Sequence, residues 1–413
     1  MKNLKLGVFG LNRGSDNFES ILYNDVEIVA VCDKDQRLLN RAKDKLGDVA
    51  LYTDFDSFIN HGFDAVYLAN YFPEHAPYAI KALNRNIHVI SECTAAGTLA
   101  ECVALVRAAE KSKAIYMLGE NYPYMVFNRE MQRVYQGGTL GKVLFAEGEY
   151  NHTNDPKDLR GAARYYDSEN HWRNFLPATY YLTHSLGPLM MATHSTPVRV
   201  TAMPIYGPRG ENYTTASYIA DNAAIITILN DDNSVFRVTG HSRFGYSENS
   251  YRLACQHGQI ENVRGQDNMI MLNYDHWSLP ENMEISNFYK ATYEPEIAEI
   301  ALKAGHGGSD FFMFRDFFSC IRNGKKPYLD VYVATAMSAV AILGHRSLLQ
   351  YGVPYDIPDF HKEEDRVKYE NDCDTPFFGS DGTAPTIPCS SHPEYKPTEE
   401  MVERFRKAMH KEW

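Results

Sequence analysis

Short apolar runs rich in β-branched residues occur at positions 4–9, 27–32, 65–69, 88–91 and 115–118. Between them, residues 35–46, 77–83 and 99–111 space their apolar side chains at helical period. Strand–helix alternation on this scale predicts an α/β fold with a parallel, doubly wound sheet. From about Asn121 the pattern changes to longer runs at 143–150, 199–203, 223–229 and 235–241. Asn230-Asp231-Asp232-Asn233 joins the last two as a hairpin connection, so a second, mostly antiparallel sheet is expected. Helical period returns at 309–322 and 331–349, interrupted by Asn323-Gly324-Lys325-Lys326-Pro327, a Gly-then-Pro stop signal. Residues 351–397 are rich in Pro, Asp and Gly and are expected to wrap the surface, before a short amphipathic helix at 399–411. The resulting division is 1–120, 121–360 and a tail, 361–413.

Composition narrows the classes. The 413 residues suffice for two domains, and 44% hydrophobic with 23% charged residues is ordinary for a soluble enzyme. With 41 basic against 53 acidic residues the net charge is −12 and no basic cluster stands out, so a nucleic-acid partner is not expected. Nothing approaches 18 uninterrupted apolar residues, so no membrane partner is expected either. Met1-Lys2-Asn3 leads straight into the first apolar run, without the layout of an export signal. The seven cysteines are odd in number and scattered, with no Cys-x-x-Cys spacing, which predicts a reduced, cytoplasmic protein without a structural metal. Twenty-eight tyrosines point to polar-faced pockets.

Two features carry candidate chemistry. Gly10-Leu11-Asn12-Arg13-Gly14-Ser15 follows the first strand, where a dinucleotide pyrophosphate would lie on backbone N–H groups. The glycine fingerprint is incomplete, because Asn12 and Ser15 hold two of its positions, although Asn tolerates left-handed angles and Ser is small. Asp33 ends the second strand 23 residues after Gly10, where a carboxylate accepts hydrogen bonds from a ribose diol and repels a 2′-phosphate. That combination favours NAD over NADP. The second feature is Tyr181-Leu182-Thr183-His184, whose phenol and imidazole would share one face of a helical turn. Such a pair suits transfer of a hydroxyl proton and of a C–H proton beside a carbonyl.

The chain resembles the Gfo/Idh/MocA oxidoreductases, and within them the NAD-dependent glycosidases of glycoside hydrolase family 109. The segments that carry the resemblance are E-C-T-A-A-G-T-L-A-E-C from Glu92, L-V-R-A-A-E-K followed by Glu120-Asn121, and G-T-L-G-K-V-L-F-A-E-G-E-Y-N-H ending at His152. Y-L-T-H-S-L-G-P from Tyr181 and G-H-G-G-S-D-F from Gly305 complete them, and the order and spacing agree from Met1 to about Phe360. The resemblance implies a Rossmann domain followed by an α/β domain with a large open sheet, bound NAD and a homo-oligomer formed through that sheet. It also implies that Asn70, Phe72, His75, Glu92, Cys93 and Asn121 join Gly10, Asn12, Arg13, Gly14, Ser15 and Asp33 at the cofactor. Tyr150, His152, Arg173, Thr183 and Tyr246 are the candidate sugar contacts, where aromatic faces would cover the ring and Arg would donate to hydroxyls. His306-Gly307-Gly308 is read as a turn before a helix.

Dehydrogenases of the wider family carry a proton-shuttling Lys where this chain has Cys93. The glycosidase branch lacks it too and uses the Tyr-x-x-His pair, here Tyr181 and His184. The mechanism so implied oxidises the sugar at C3, eliminates the aglycone across C1–C2, adds water and re-reduces C3, so the cofactor is regenerated. Two alternatives stay open: a net NAD-dependent dehydrogenase of a sugar, glycoside or inositol, and an inactive nucleotide-bound sensor or assembly protein. His152, His171 and His184 lack carboxylate-flanked ligand spacing, so no metal is expected. Family members of this branch often carry an export signal, and the tail beyond Phe360 has no counterpart in the resemblance.

Overall fold

The computed structural model describes residues 4–153, 168–207 and 219–409. Six parallel strands form the first sheet: β1 (Leu4–Phe9), β2 (Val26–Cys32), β3 (Ala50–Tyr52), β4 (Ala65–Leu68), β5 (His88–Ser91) and β6 (Tyr116–Leu118). Their order is 3-2-1-4-5-6, so the chain reverses direction across the sheet between β1 and β4. Every residue of β4 and β6 is buried, as expected of strands covered by helices on both faces. The helix Leu99–Lys111 begins at a capping box, with Thr98 and Glu101 each satisfying the other's backbone N–H.

The glycine loop leads not into one continuous helix but into three short pieces, Leu11–Gly14, Ser15–Asn17 and Phe18–Leu22. Fully buried Asn17 breaks it, turning its amide to donate to the Tyr67 hydroxyl at 2.7 Å.

Nine strands form the second sheet: β7 (Val143–Asn151), β8 (Pro197–Ile205), β9 (Ala223–Asn230), β10 (Val235–Ser242), β11 (Glu248–Cys255), β12 (Gly258–Asn262), β13 (Met269–Tyr274), β14 (Ser286–Lys290) and β15 (Tyr355–Asp356). All neighbours are antiparallel except β7 and β10. The β9–β10 hairpin forms as expected, with Leu229 opposite Val235.

Helix Val331–Leu349, capped by the Asp330 carboxylate, packs on β8 of this sheet and on β6 and helix Leu99–Lys111 of the first. It is apolar enough to span a bilayer by composition, yet it is a buried core helix. The tail does more than wrap the surface. It forms the helix Glu363–Tyr369 and buries Phe377 and Phe405, while Tyr355–Asp356 just before it adds β15 to the sheet edge. The last helix is Glu399–Met409, and Lys411 lies outside the described residues.

Candidate active site

At the carboxyl edge of the parallel sheet β1 delivers the chain into Gly10, whose φ of 88° favours glycine. A Cβ there would stand 2.4 Å from the Ala69 carbonyl oxygen, so only glycine permits this approach of the two strand ends. β2 delivers Asp33, whose carboxylate accepts from the Leu11 N–H at 2.7 Å and the Asp35 N–H at 2.8 Å. Burial raises its pKa, against the lowering effect of those N–H groups. Gly10, Asn12, Arg13, Asp33, Asn70 and Arg173 all line one cavity of about 710 Å³. Asn70 Oδ1 is buried without a hydrogen-bond partner among the described residues. An orphaned acceptor, a glycine-only loop and a fixed carboxylate on one cavity fit a dinucleotide.

The other residues expected at the cofactor do not line that cavity. Gly14 packs on Val8 and Ser15 continues the broken helix. Phe72 is buried in an aromatic stack between Trp172 (ring centroids 5.0 Å) and Tyr181 (5.6 Å). His75 is buried and bonds the Thr94 carbonyl through Nδ1 at 2.8 Å. Glu92 and Asn121 belong to a charged network behind the loop, in which Arg13 Nε donates to Glu92 at 3.0 Å and Arg13 Nη2 lies 3.5 Å from Asp310. Asn121 donates to Asp310 at 2.7 Å and Tyr67 donates to Glu92 at 2.5 Å.

Burial pushes Asp310 up, but the hydrogen bond from His306 and the charge of Arg13 outweigh it and hold the carboxyl below its ordinary range. His306–Gly308 forms the expected turn, and His306 additionally pairs with Asp310 at 2.9 Å.

The Tyr181–His184 pair does not sit on one helical turn. Tyr181 closes the 3-10 segment Ala178–Tyr181, whereas His184 lies in the helix Thr183–Thr193. The junction still brings the rings edge to face, with centroids 4.9 Å apart. Two glycines of the second sheet seat the segment: a Cβ at Gly148 would lie 2.0 Å from the Ser185 carbonyl oxygen, and one at Gly240 2.1 Å from that of Ala178. The Ser185 hydroxyl donates to the Thr239 carbonyl and the Tyr251 hydroxyl to that of His184, both at 2.6 Å.

His184 Nδ1 lies 2.8 and 2.9 Å from the two oxygens of Glu120, which is completely buried. That contact assigns the Nδ1 proton to the carboxylate and leaves Nε2 for chemistry. Glu120 also accepts from the Cys93 thiol at 3.1 Å and the Tyr122 N–H at 3.0 Å. Burial alone raises its pKa, but His184 and these hydrogen bonds hold it below the ordinary carboxylate value. Tyr122 stacks on His184 with centroids 4.1 Å apart, and Tyr150 meets it edge-on at 4.8 Å. Desolvation pushes the Tyr181 phenol up to about 12, against the charge of Arg173. It raises the Cys93 thiol well above its ordinary value, with the charges of Glu120 and Glu92 adding to the effect.

Among the expected sugar contacts, Tyr150 joins this cluster and Arg173 lies over the Trp172 ring at 4.4 Å. His152 is exposed but keeps its ring 5.8 Å from Tyr150. Thr183 is fully buried beside Glu120 and Cys93, which makes it a neighbour of the carboxylate rather than an exposed contact. Tyr246 is 77% exposed and has no ring contact with the cluster among the described residues.

Two members were missed in sequence. Glu120 was visible as the neighbour of Asn121. His241 was not, because a register shift between Val238 and His241 pairs it with Tyr150, placing both on one face. Its ring lies 5.4 Å from Tyr181 and 5.5 Å from Tyr150, and desolvation lowers its pKa to about 3.

Residues 4–120 match the model of the oxidoreductase family with an NAD-binding Rossmann fold, and residues 246–366 that of the glycosyl hydrolase 109 C-terminal domain. The chain is 27% identical to a glycosyl hydrolase family 109 protein of Saccharopolyspora erythraea, with 87% of this chain and 83% of that protein covered. It is 26% identical to glycosyl hydrolase family 109 protein 1 of Phocaeicola vulgatus, covering 87% and 84%. Among solved structures it is similar to levoglucosan dehydrogenase in complex with NADH and levoglucosan (TM-score 0.72, 17% identity, 86% and 100% covered). An oxidoreductase from Agrobacterium radiobacter in complex with NAD+, L-tartaric acid and magnesium gives a TM-score of 0.70 at 15% identity, covering 86% and 98%. At these identities the solved structures speak for the fold.

Proposed function

The chain belongs to the Gfo/Idh/MocA oxidoreductases and carries a glycosyl hydrolase 109 C-terminal domain, and from that premise we propose that it is an NAD-dependent, sugar-active enzyme that works as a glycosidase. The carrying observation is His184, aimed by the buried carboxylate of Glu120, with Tyr181 beside it and Cys93 in the place of a shuttling lysine. The Cys93 thiol is taken up by its hydrogen bond to Glu120, so proton transfer falls to Tyr181 and His184 jointly. Gly10, Asn12, Arg13, Asp33 and Asn70 would hold the dinucleotide, whose nicotinamide supplies the acceptor and later the donor of one hydride.

The chain's own residues supply the rest. The pair takes the hydroxyl proton at C3 and the C2 proton, which a C3 ketone acidifies, and protonates the leaving oxygen. Loss of that oxygen from C1 leaves a C1–C2 double bond, water adds at C1 with return of a proton to C2, and re-reduction at C3 closes the cycle as net hydrolysis. Tyr150, beside the pair, and Arg173, on the cavity wall, would contact the sugar.

A panel of chromogenic glycosides in heavy water tests the reading. Release of the aglycone, with deuterium incorporated at C2 and no build-up of NADH, is expected. Steady NADH accumulation from a free sugar, without aglycone release, would overturn it in favour of net dehydrogenation.

Asp33 supports NAD as the nucleotide. Asp33→Ser is expected to narrow the preference for NAD over NADP by ~10–100-fold, the weight of a lost charge-assisted hydrogen bond and a removed repulsion. Fluorescence titration with NADH and NADPH measures it, and an unchanged ratio would remove Asp33 from the ribose site.

We also propose a homo-oligomer joined through the nine-stranded sheet, whose strands expose Met203, Ile225, Leu229 and Phe288. Light scattering at micromolar concentration is expected to show more than a monomer.

A further inference from the structure

The tail beyond residue 366 lies outside both family matches, yet it reaches the dinucleotide cavity. Phe378, Gly379, Ser380 and Gly382 line that cavity together with Gly10, Arg13 and Asp33. Resting on the reading of this cavity as a nicotinamide dinucleotide site, we infer that the tail loop 378–382 is part of the site and sets how long the cofactor stays bound.

The loop is a fixed wall. Gly379 N–H donates to the Thr383 carbonyl and Gly382 N–H to that of Gly379, both at 2.9 Å, which closes the turn. Before it, Arg346 grips Asp372 with two hydrogen bonds, one of 2.7 Å. Phe377 is buried against Tyr180 (5.3 Å) and Phe72 (6.2 Å), and Phe378 packs edge-on against Phe175 at 4.9 Å.

After it, the His345 imidazole donates to the Pro388 carbonyl at 2.7 Å. The Ser391 N–H and hydroxyl bind Asp221 at 2.9 and 2.6 Å. The anchors come from elements packed on both sheets, so the loop stands as a fixed wall beside the strand ends and moves aside only when those contacts open locally. A wall of this kind acts on the dissociation rate before it acts on affinity by any other route. A catalytic cycle that regenerates its nicotinamide gains from such retention, because the nucleotide need not be exchanged between turnovers.

The experiment loads the full-length protein with NADH, adds excess NAD+ and follows the loss of bound NADH fluorescence. The wild type is compared with Phe378→Ala and with deletion of residues 379–382, and melting of each apoprotein reports folding. Both variants are expected to release NADH roughly tenfold faster or more, since related complexes differ chiefly in dissociation rate. Should the deletion prevent folding, Phe378→Ala decides alone. Release at the wild-type rate from folded variants overturns the role of the loop while leaving the cofactor site standing. A wild type that binds no NADH overturns both.

Discussion

His184→Asn is expected to lower turnover by ~10²–10⁴-fold, the weight of a general acid–base group, while leaving NADH binding intact. Asn is the informative replacement because its amide N–H takes the place of the imidazole donor toward Glu120, so the buried carboxylate keeps a partner. What is lost is the second nitrogen, Nε2, the one left for proton transfer. Tyr181→Phe isolates the other half of the pair in the same way, because the ring keeps its stack on Phe72 and loses only the hydroxyl. Single-turnover cleavage, with exchange of the C2 proton followed by NMR, separates the steps. If neither variant slows either event, the pair is not the proton-transfer site.

The second large effect concerns Glu120, which is fully buried and accepts from an imidazole, a thiol and a backbone N–H. Glu120→Ala leaves His184 and Cys93 without their acceptor and is expected to cost about 3–5 kcal/mol, as when a buried pair loses one member. Glu120→Gln keeps shape and one acceptor but removes the charge that aims and supports the imidazole, so turnover is expected to fall ~10–100-fold at modest cost in stability.

The same carboxylate gives a pH signature. Its folded-state pKa lies below the ordinary value of 4.5, so its contribution to stability is present above about pH 4.5 and is lost as the pH falls through the depressed value. Glu120→Gln is therefore expected to flatten part of the acid limb of the stability curve, with Asp310 and other carboxylates depressed in the same direction, among them Glu110, Glu130 and Asp232, contributing what remains. Melting temperatures between pH 3 and 7 check this, and an unchanged acid limb would show that Glu120 does not ionise in the folded protein.

The parallel sheet was legible because its strands are buried on both faces and read as apolar runs between helical periods. β3 and β11 to β15 were not. Ala50–Tyr52 is three residues long, and Ser286–Lys290 is a polar strand with alternate positions exposed, so neither leaves a strong pattern. At the site, Gly10, Asp33, Tyr181 and Tyr150 were legible from loop and motif. Glu120 and His241 act through partners 64 and 60 residues away in sequence, His184 and Tyr181, and no spacing rule reports a contact of that range. Phe72 and His75 were placed at the cofactor because they follow a strand end, yet helix packing turns both into the interior.

Gly148 and Gly240 look different when mutational tolerance is considered. Neither would touch a substrate; Gly148 sits in a regularly paired stretch of strand and Gly240 in the register shift between Val238 and His241. Yet a single methyl group at either must displace the backbone that carries Tyr181 and His184. A saturation screen for activity should therefore find two sharp intolerant positions in the sheet floor, alanine included, amid neighbours that drift freely on the outer face. The geometry proposed for proton transfer is constrained there by the absence of an atom.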